Sequence, residues 1–147
     1  MNTLQVSILS LLIAQLLKIF TTYPPDISRI IGSGGFPSSH AAFVSSLATT
    51  IGLNHGFYTD IFAITTVFSL VVIYDASGVR RAVGEQANVL NNIISHFDLK
   101  NNLKDIEKEK EFYKEELKEL IGHTPVEVIS GIILGILIAL ANNIYLI

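Results

Sequence analysis

"VEVISGIILGILIALANNIYLI", Val126 to Ile147, is an apolar run with one charge, Glu127, near its start. A helix of this length, rising about 1.5 Å per residue, covers a hydrocarbon core of roughly 30 Å. Gly131, Gly135 and Ala139 recur at intervals of four, and the same spacing leads back through Glu127 to His123. One helix face therefore offers small residues for close packing, and it brings an imidazole and a carboxylate to the edge of the membrane segment.

Three more segments share this character. "TLQVSILSLLIAQLLKIF", Thr3 to Phe20, makes about 27 Å of helix. "SSHAAFVSSLATTIGL", Ser38 to Leu53, is dotted with hydroxyls and suits a helix buried among others, and "IFAITTVFSLVVIY", Ile61 to Tyr74, is apolar nearly throughout. With 50% hydrophobic and 16% charged residues and a mean hydropathy of +0.50, the 147 residues are too oily for an ordinary soluble fold. The expected fold is an all-α integral membrane helical bundle in one membrane domain, residues 1–147, with about four transmembrane helices over 3–20, 38–53, 61–77 and 125–146. A polar cytoplasmic region, 78–122, would carry amphipathic and charged helices. Within it, Val79, Val83, Leu90, Ile93 and Phe97 recur at helical spacing, as do Leu103, Ile106, Tyr113, Leu117 and Leu120. The charge block from Asp98 to Leu120 reads as a solvated face of Glu–Lys pairs.

The absence of cysteine excludes disulfides and thiolate metal sites. A net charge of −3 without a basic stripe argues against nucleic acid as a partner. The N-terminus lacks the basic region and cleavage site of a secretory signal and reads as a retained helix. All ten Lys and Arg fall at the end of the first span, in the loop after it, or between the third and fourth spans. With four spans these regions share one face, which the positive-inside rule puts in the cytoplasm, leaving both termini outside a multi-pass cell-membrane protein.

The residues able to do chemistry cluster on that same face. In "GSGGFPSSHAAF", Gly32 to Phe43, the glycines let backbone approach a ligand, Pro37 and Ser38 make a helix start, and His40 follows in its first turn. Such a start exposes amides to an anion, although a plain helix cap in a tight turn would look the same. His123 and Glu127, one turn apart, form a pair in which a carboxylate holds an imidazole in one tautomer, or else an ordinary helix cap. Arg80 and Arg81 have the fork geometry that clamps phosphate oxygens; their plainer roles are interfacial anchoring and an Arg81–Glu85 helix pair. Lys18, at a helix end, ordinarily snorkels to the interface.

"PSSH", Pro37 to His40, resembles the P-S-G-H motif of the phosphatidic acid phosphatase type-2 and vanadium-haloperoxidase superfamily, and "HTPVEVISG" from His123 resembles its H-x-P-x-D-V-x-x-G. With "GVRRAVGEQANVLN" and "LKELIGHTPVEV", the resemblance is to the divergent, small membrane branch and covers nearly the whole chain. It implies phosphomonoester hydrolysis with neither metal nor cofactor. His123 would attack phosphorus, Glu127 would orient it, and His40 would protonate the leaving oxygen. Ser38, Ser39, the Gly35 amide and basic side chains, Lys18 among them, would bind phosphate. The pattern departs from the superfamily where Lys18 is followed by Arg29 eleven residues on without a proline, and where Leu117 stands in place of an arginine. Arg80 and Arg81 are the candidates to fill those phosphate-binding positions.

The leading expectation is thus a membrane phosphatase acting on a phosphorylated lipid or isoprenoid within the lipid bilayer. Against it stand a non-catalytic protein binding an anionic headgroup or a protein partner, and a small transporter to which Asn142 and Asn143 would contribute. Homo-oligomerisation stays open, since the Gly131–Ala139 face suits a dimer as well as packing within one chain.

Overall fold

The computed structural model describes residues 1–21, 35–100 and 122–145, and among them every regular element is helical. α1 covers Thr3–Phe20, α2 Ser39–His55 and α3 Asp60–Tyr74; a single π-helical turn, Asp75–Val79, leads into α4, Arg80–Lys100, and α5 covers Pro125–Tyr145. Gly32, Gly34, Arg29 and the second amphipathic repeat, Leu103 to Leu120, lie outside the described residues.

Local chemistry accounts for the helix starts. Asn2 caps α1 through a reciprocal pair, Gln5 N–H to Asn2 Oδ1 at 2.8 Å and Asn2 N–H to Gln5 Oε1 at 3.0 Å. Ser38 caps α2, and Thr59 caps α3 by accepting from the Phe62 amide. α3 has no stop signal before the polar region. The expected break near residue 78 is instead a widened turn, and one helix runs from Asp60 through Ile93. Val79, Val83, Leu90 and Ile93 are exposed along it, as an amphipathic surface helix requires.

The packing inverts that of a soluble protein. α2 lies against α1, α3 and α5, and its buried positions are Ser39, Ala41, Ala42, Val44, Ser45, Ser46, Thr50 and Gly52. α1 turns Val6, Ser7, Ser10, Ala14 and Lys18 inward while Leu4, Ile8, Leu12 and Leu16 face out. α3 and α5 likewise bury small residues and expose Ile64, Phe68, Val71, Ile129, Ile133 and Leu140. Lipid tails solvate large apolar side chains as well as a protein core does, so the interior is left to small residues that let backbones approach. A Cβ added to Gly131 would meet the Ser38 carbonyl, and one at Gly135 would meet the Ala42 carbonyl and Ser45 Oγ. The small-residue face of α5 is therefore used against α2 within the chain.

Hydroxyls in this interior have no water to bond, so they turn to carbonyls. Ser10, Thr50 and Thr65 bond back within their own helices. Two cross between helices: Ser45 Oγ reaches the Ile132 carbonyl at 3.2 Å, and Ser69 Oγ reaches that of Val44 at 3.1 Å. α1, the α3–α4 helix and α5 are each long and apolar enough to cross a membrane, whereas the 17-residue α2 is enclosed by its neighbours. The result is an integral membrane helical bundle. Its ends are marked by contacts: Lys18 meets Ser39 at one, and the N-terminal ammonium meets Asn142 Oδ1, 3.2 Å away, at the other. Asn142 is thus engaged in tying the chain's ends together.

Candidate functional site

At the Lys18 end, four elements deliver polar side chains to one place. Gly35 takes φ +97°, in the left-handed region that a side chain disfavours, and turns the chain into α2. Ser38 Oγ then accepts from the Ala41 amide at 3.3 Å, while the Ser38 amide donates to the Glu127 carbonyl at 2.9 Å. That backbone bond fixes the start of α2 to the first turn of α5. His40, one residue into α2, is exposed, and its ring centroid stands 6.1 Å from that of His123, tilted by 59°.

His123 is held from both ends of its atom set. Its amide donates to the Ala76 carbonyl in the π turn at 2.9 Å, and its Nδ1 lies 3.3 Å from Glu127 Oε2. The residue is 2% exposed, yet Nε2 has no hydrogen-bond partner. Burial, and then the Lys18 ammonium, hold this histidine below its ordinary pKa, with Glu127 pulling the other way and His40 adding a smaller depression. At neutral pH the ring is accordingly uncharged. A neutral ring beside a carboxylate keeps its proton on Nδ1, which leaves the Nε2 lone pair free.

Glu127 has two tasks. Its Oε2 accepts the Thr124 amide at 2.9 Å and its own amide donates to Thr124 Oγ1 at 3.3 Å, a reciprocal cap for α5. The same oxygen faces His123. The cap and the histidine partner, set out above as alternatives, coexist in one carboxylate. The T-x-x-E spacing from Thr124 signals such a cap in the sequence alone.

Lys18 does not snorkel. It is 1% exposed, donates from Nζ to Ser39 Oγ at 3.3 Å, and lies in electrostatic range of Glu127 and His123. A buried ammonium is costly unless anions or dipoles surround it, and here the Ser39 hydroxyl and the Glu127 carboxylate supply them. The two arginines separate. Arg80 Nε bonds Asp75 Oδ2 at 2.6 Å, and both charges reach His40. Arg81 turns along α4 to Glu85 at 3.0 Å. The structure thus gathers Lys18, Ser38, Ser39, His40, His123 and Glu127, with Arg80 at the rim, and pairs Arg81 along α4 with Glu85. Asp75 and the Ala76 carbonyl are the participants that the motif pattern did not single out. Among the described residues, no three His, Cys, Asp or Glu side chains gather as metal ligands.

An all-helical membrane protein with a histidine–carboxylate site at one end of its bundle is the class these features define. The chain belongs to the divergent PAP2 family, which it matches over residues 1–138. It is also similar to a protein of Bacillus subtilis (strain 168) described as the uncharacterized membrane protein YuiD, with 39% identity over 140 residues, covering 91% of this chain and 89% of that one. No solved structure matches it. The family name makes the protein phosphatase-like, and its helices place it in contact with the lipid bilayer.

Proposed function

We propose that the protein is a membrane-embedded phosphatase that hydrolyses a lipid-linked phosphate or pyrophosphate through a phosphohistidine on His123. The observation that carries this reading is the buried, unpartnered Nε2 of a histidine whose other nitrogen is held by Glu127. Burying a polar atom without a partner is unfavourable, and such an atom in a native site calls for an explanation; an incoming phosphorus supplies one.

In the first step Nε2 gives its lone pair to phosphorus, the bond from phosphorus to the leaving oxygen breaks, and His40 transfers a proton to that oxygen. Glu127 stabilises the positive charge that develops on the imidazole. In the second step water attacks the phosphohistidine, His40 takes its proton, and inorganic phosphate leaves with the electrons of the P–N bond returning to Nε2. Lys18, the Ser39 hydroxyl, the Gly35 amide and Arg80 carry the charge on the equatorial oxygens, the largest electrostatic demand of phosphoryl transfer. Ser38 contributes mainly by holding the start of α2. The distribution of Lys and Arg supports placing this site on the cytoplasmic side of the cell membrane with both termini outside.

Phosphate release from a panel of lipid phosphates and pyrophosphates, with chelator present, tests the proposal. The detergent-purified wild type is to release phosphate and the His123→Gln variant is not, and an acid-labile phosphoryl group is to be trapped on the wild type alone. Retained turnover in the variant overturns the nucleophile assignment. The departure at Leu117 favours a second reading, an anionic-headgroup binder without turnover. Saturable headgroup binding with no release from any substrate would establish that reading.

A further inference from the structure

The π turn between α3 and α4 has its own geometry to explain. Asp75 is its first residue and Arg80 the first residue after it, and the Arg80 amide donates to the Asp75 carbonyl. In an α-helix, side chains five apart point about 140° away from one another and cannot pair. Winding with i→i+5 bonds, a device frequent at functional sites, stacks them, and here it allows the 2.6 Å contact from Arg80 Nε to Asp75 Oδ2. The same turn supplies the Ala76 carbonyl that accepts the His123 amide. Behind it, Gly122, at φ +96°, lies so close to the Arg80–Arg81 backbone that a Cβ there would collide with it. The turn is thus fixed to the residue bearing the free Nε2, and the charges of Asp75 and Arg80 both reach His40.

We propose that Asp75 is a positioning residue that aims the Arg80 guanidinium at a phosphate held between His123 and His40; the assignment rests on the phosphatase reading above. With Nε–H occupied by the carboxylate, the terminal nitrogens of the fork are the ones left to meet phosphate oxygens. The π turn therefore supplies an arginine to the phosphate from α4, an element separate from both histidine motifs. Arg81, one residue on, is paired with Glu85 on α4, and of the two arginines it is Arg80 whose charge reaches His40.

A carboxylate beside a phosphate site can also act only as a repelling charge, and a double-mutant cycle separates the two roles. The probe is inorganic phosphate, its affinity measured by calorimetry on the full chain in detergent, beside KM and kcat for phosphate release. Arg80→Ala is expected to weaken phosphate binding about tenfold, as loss of a charge-assisted contact at a half-exposed site does. Asp75→Asn is expected to weaken binding and raise KM about fivefold, with kcat less affected, and to add nothing in the Arg80→Ala background. Asp75→Glu should recover part of the loss. Arg80→Lys keeps the ion pair but loses the fork, and should bind nearly as weakly as Arg80→Ala, which decides the matter should Asp75→Asn fail to fold. Unchanged or tighter binding by Asp75→Asn, an equal loss with and without Arg80, or full affinity in Arg80→Lys overturns the assignment. A wild type that neither binds phosphate nor releases it overturns the phosphatase reading and this assignment together. A working wild type with an indifferent Asp75 overturns this assignment alone.

Discussion

Replacing Glu127 by Gln separates the two tasks of one side chain. The amide keeps an oxygen for the Thr124 N–H and leaves the Glu127 amide on Thr124 Oγ1, so the α5 cap survives. What is lost is negative charge 3.3 Å from His123 Nδ1, at a carboxylate whose side chain is 21% exposed. A hydrogen bond to a charged acceptor contributes about 1.5–3 kcal/mol against about 1 for a neutral one, and the difference matters when the imidazole becomes positive during attack. A loss near 2 kcal/mol in the transition state lowers kcat roughly thirtyfold. Stability in detergent should stay within about 0.5 kcal/mol of wild type, whereas Thr124→Val, which removes the cap alone, should cost about 1 kcal/mol and spare kcat. The assay pairs initial rates of phosphate release with thermal unfolding. A Glu127→Gln enzyme within twofold of wild type would refute the argument and leave Glu127 as a cap.

Other perturbations have equally definite outcomes. The acid limb of kcat/KM should lie below the ordinary histidine range, because burial and Lys18 depress His123; Lys18→Met removes a positive neighbour and should move that limb to higher pH, and no movement counts against the coupling. Since the folded state holds the His123 proton less tightly than the unfolded chain, stability should fall as pH drops below about 6.5, a decline that His123→Gln should lessen in equilibrium unfolding. Gly131→Ala sets a methyl group against the Ser38 carbonyl and should cost about 1–3 kcal/mol by thermal unfolding, an unchanged midpoint arguing against close α2–α5 contact. A single cysteine at the exposed Phe36 position, in a chain with none of its own, should react with impermeant reagents only from the cytoplasmic side; labelling from outside reverses the proposed orientation.

Much of this arrangement was legible because polar residues are rare in the chain. The periodicity from His123 to Ala139 marked the face that packs on α2, and the glycine–serine stretch before His40 marked a helix start. Only the snorkelling of Lys18 fails, since position at a helix end says nothing of direction; its inward turn follows from the small residues Ser10 and Ala14 on the same face, which bring α1 close to α2. The pairing of Asp75 with Arg80 is not legible in the sequence, because the two lie five residues apart, a spacing that no α-helical periodicity registers. The widened turn is a tertiary outcome, fixed in part by the bond from His123 to Ala76.

The inside-out packing of the bundle has a consequence for how the sequence can vary. Positions such as Leu12, Ile64, Val71 and Ile133, large and turned to lipid, should exchange freely among aliphatic and aromatic residues in a saturation library. Intolerance should fall on the least conspicuous letters, Gly131, Gly135, Ser45 and Ala42, where a single added carbon or a lost hydroxyl reaches backbone. A map of tolerated substitutions would then be nearly the negative of one drawn for a water-soluble helical protein, with the smallest side chains writing the shape and the largest merely filling the solvent.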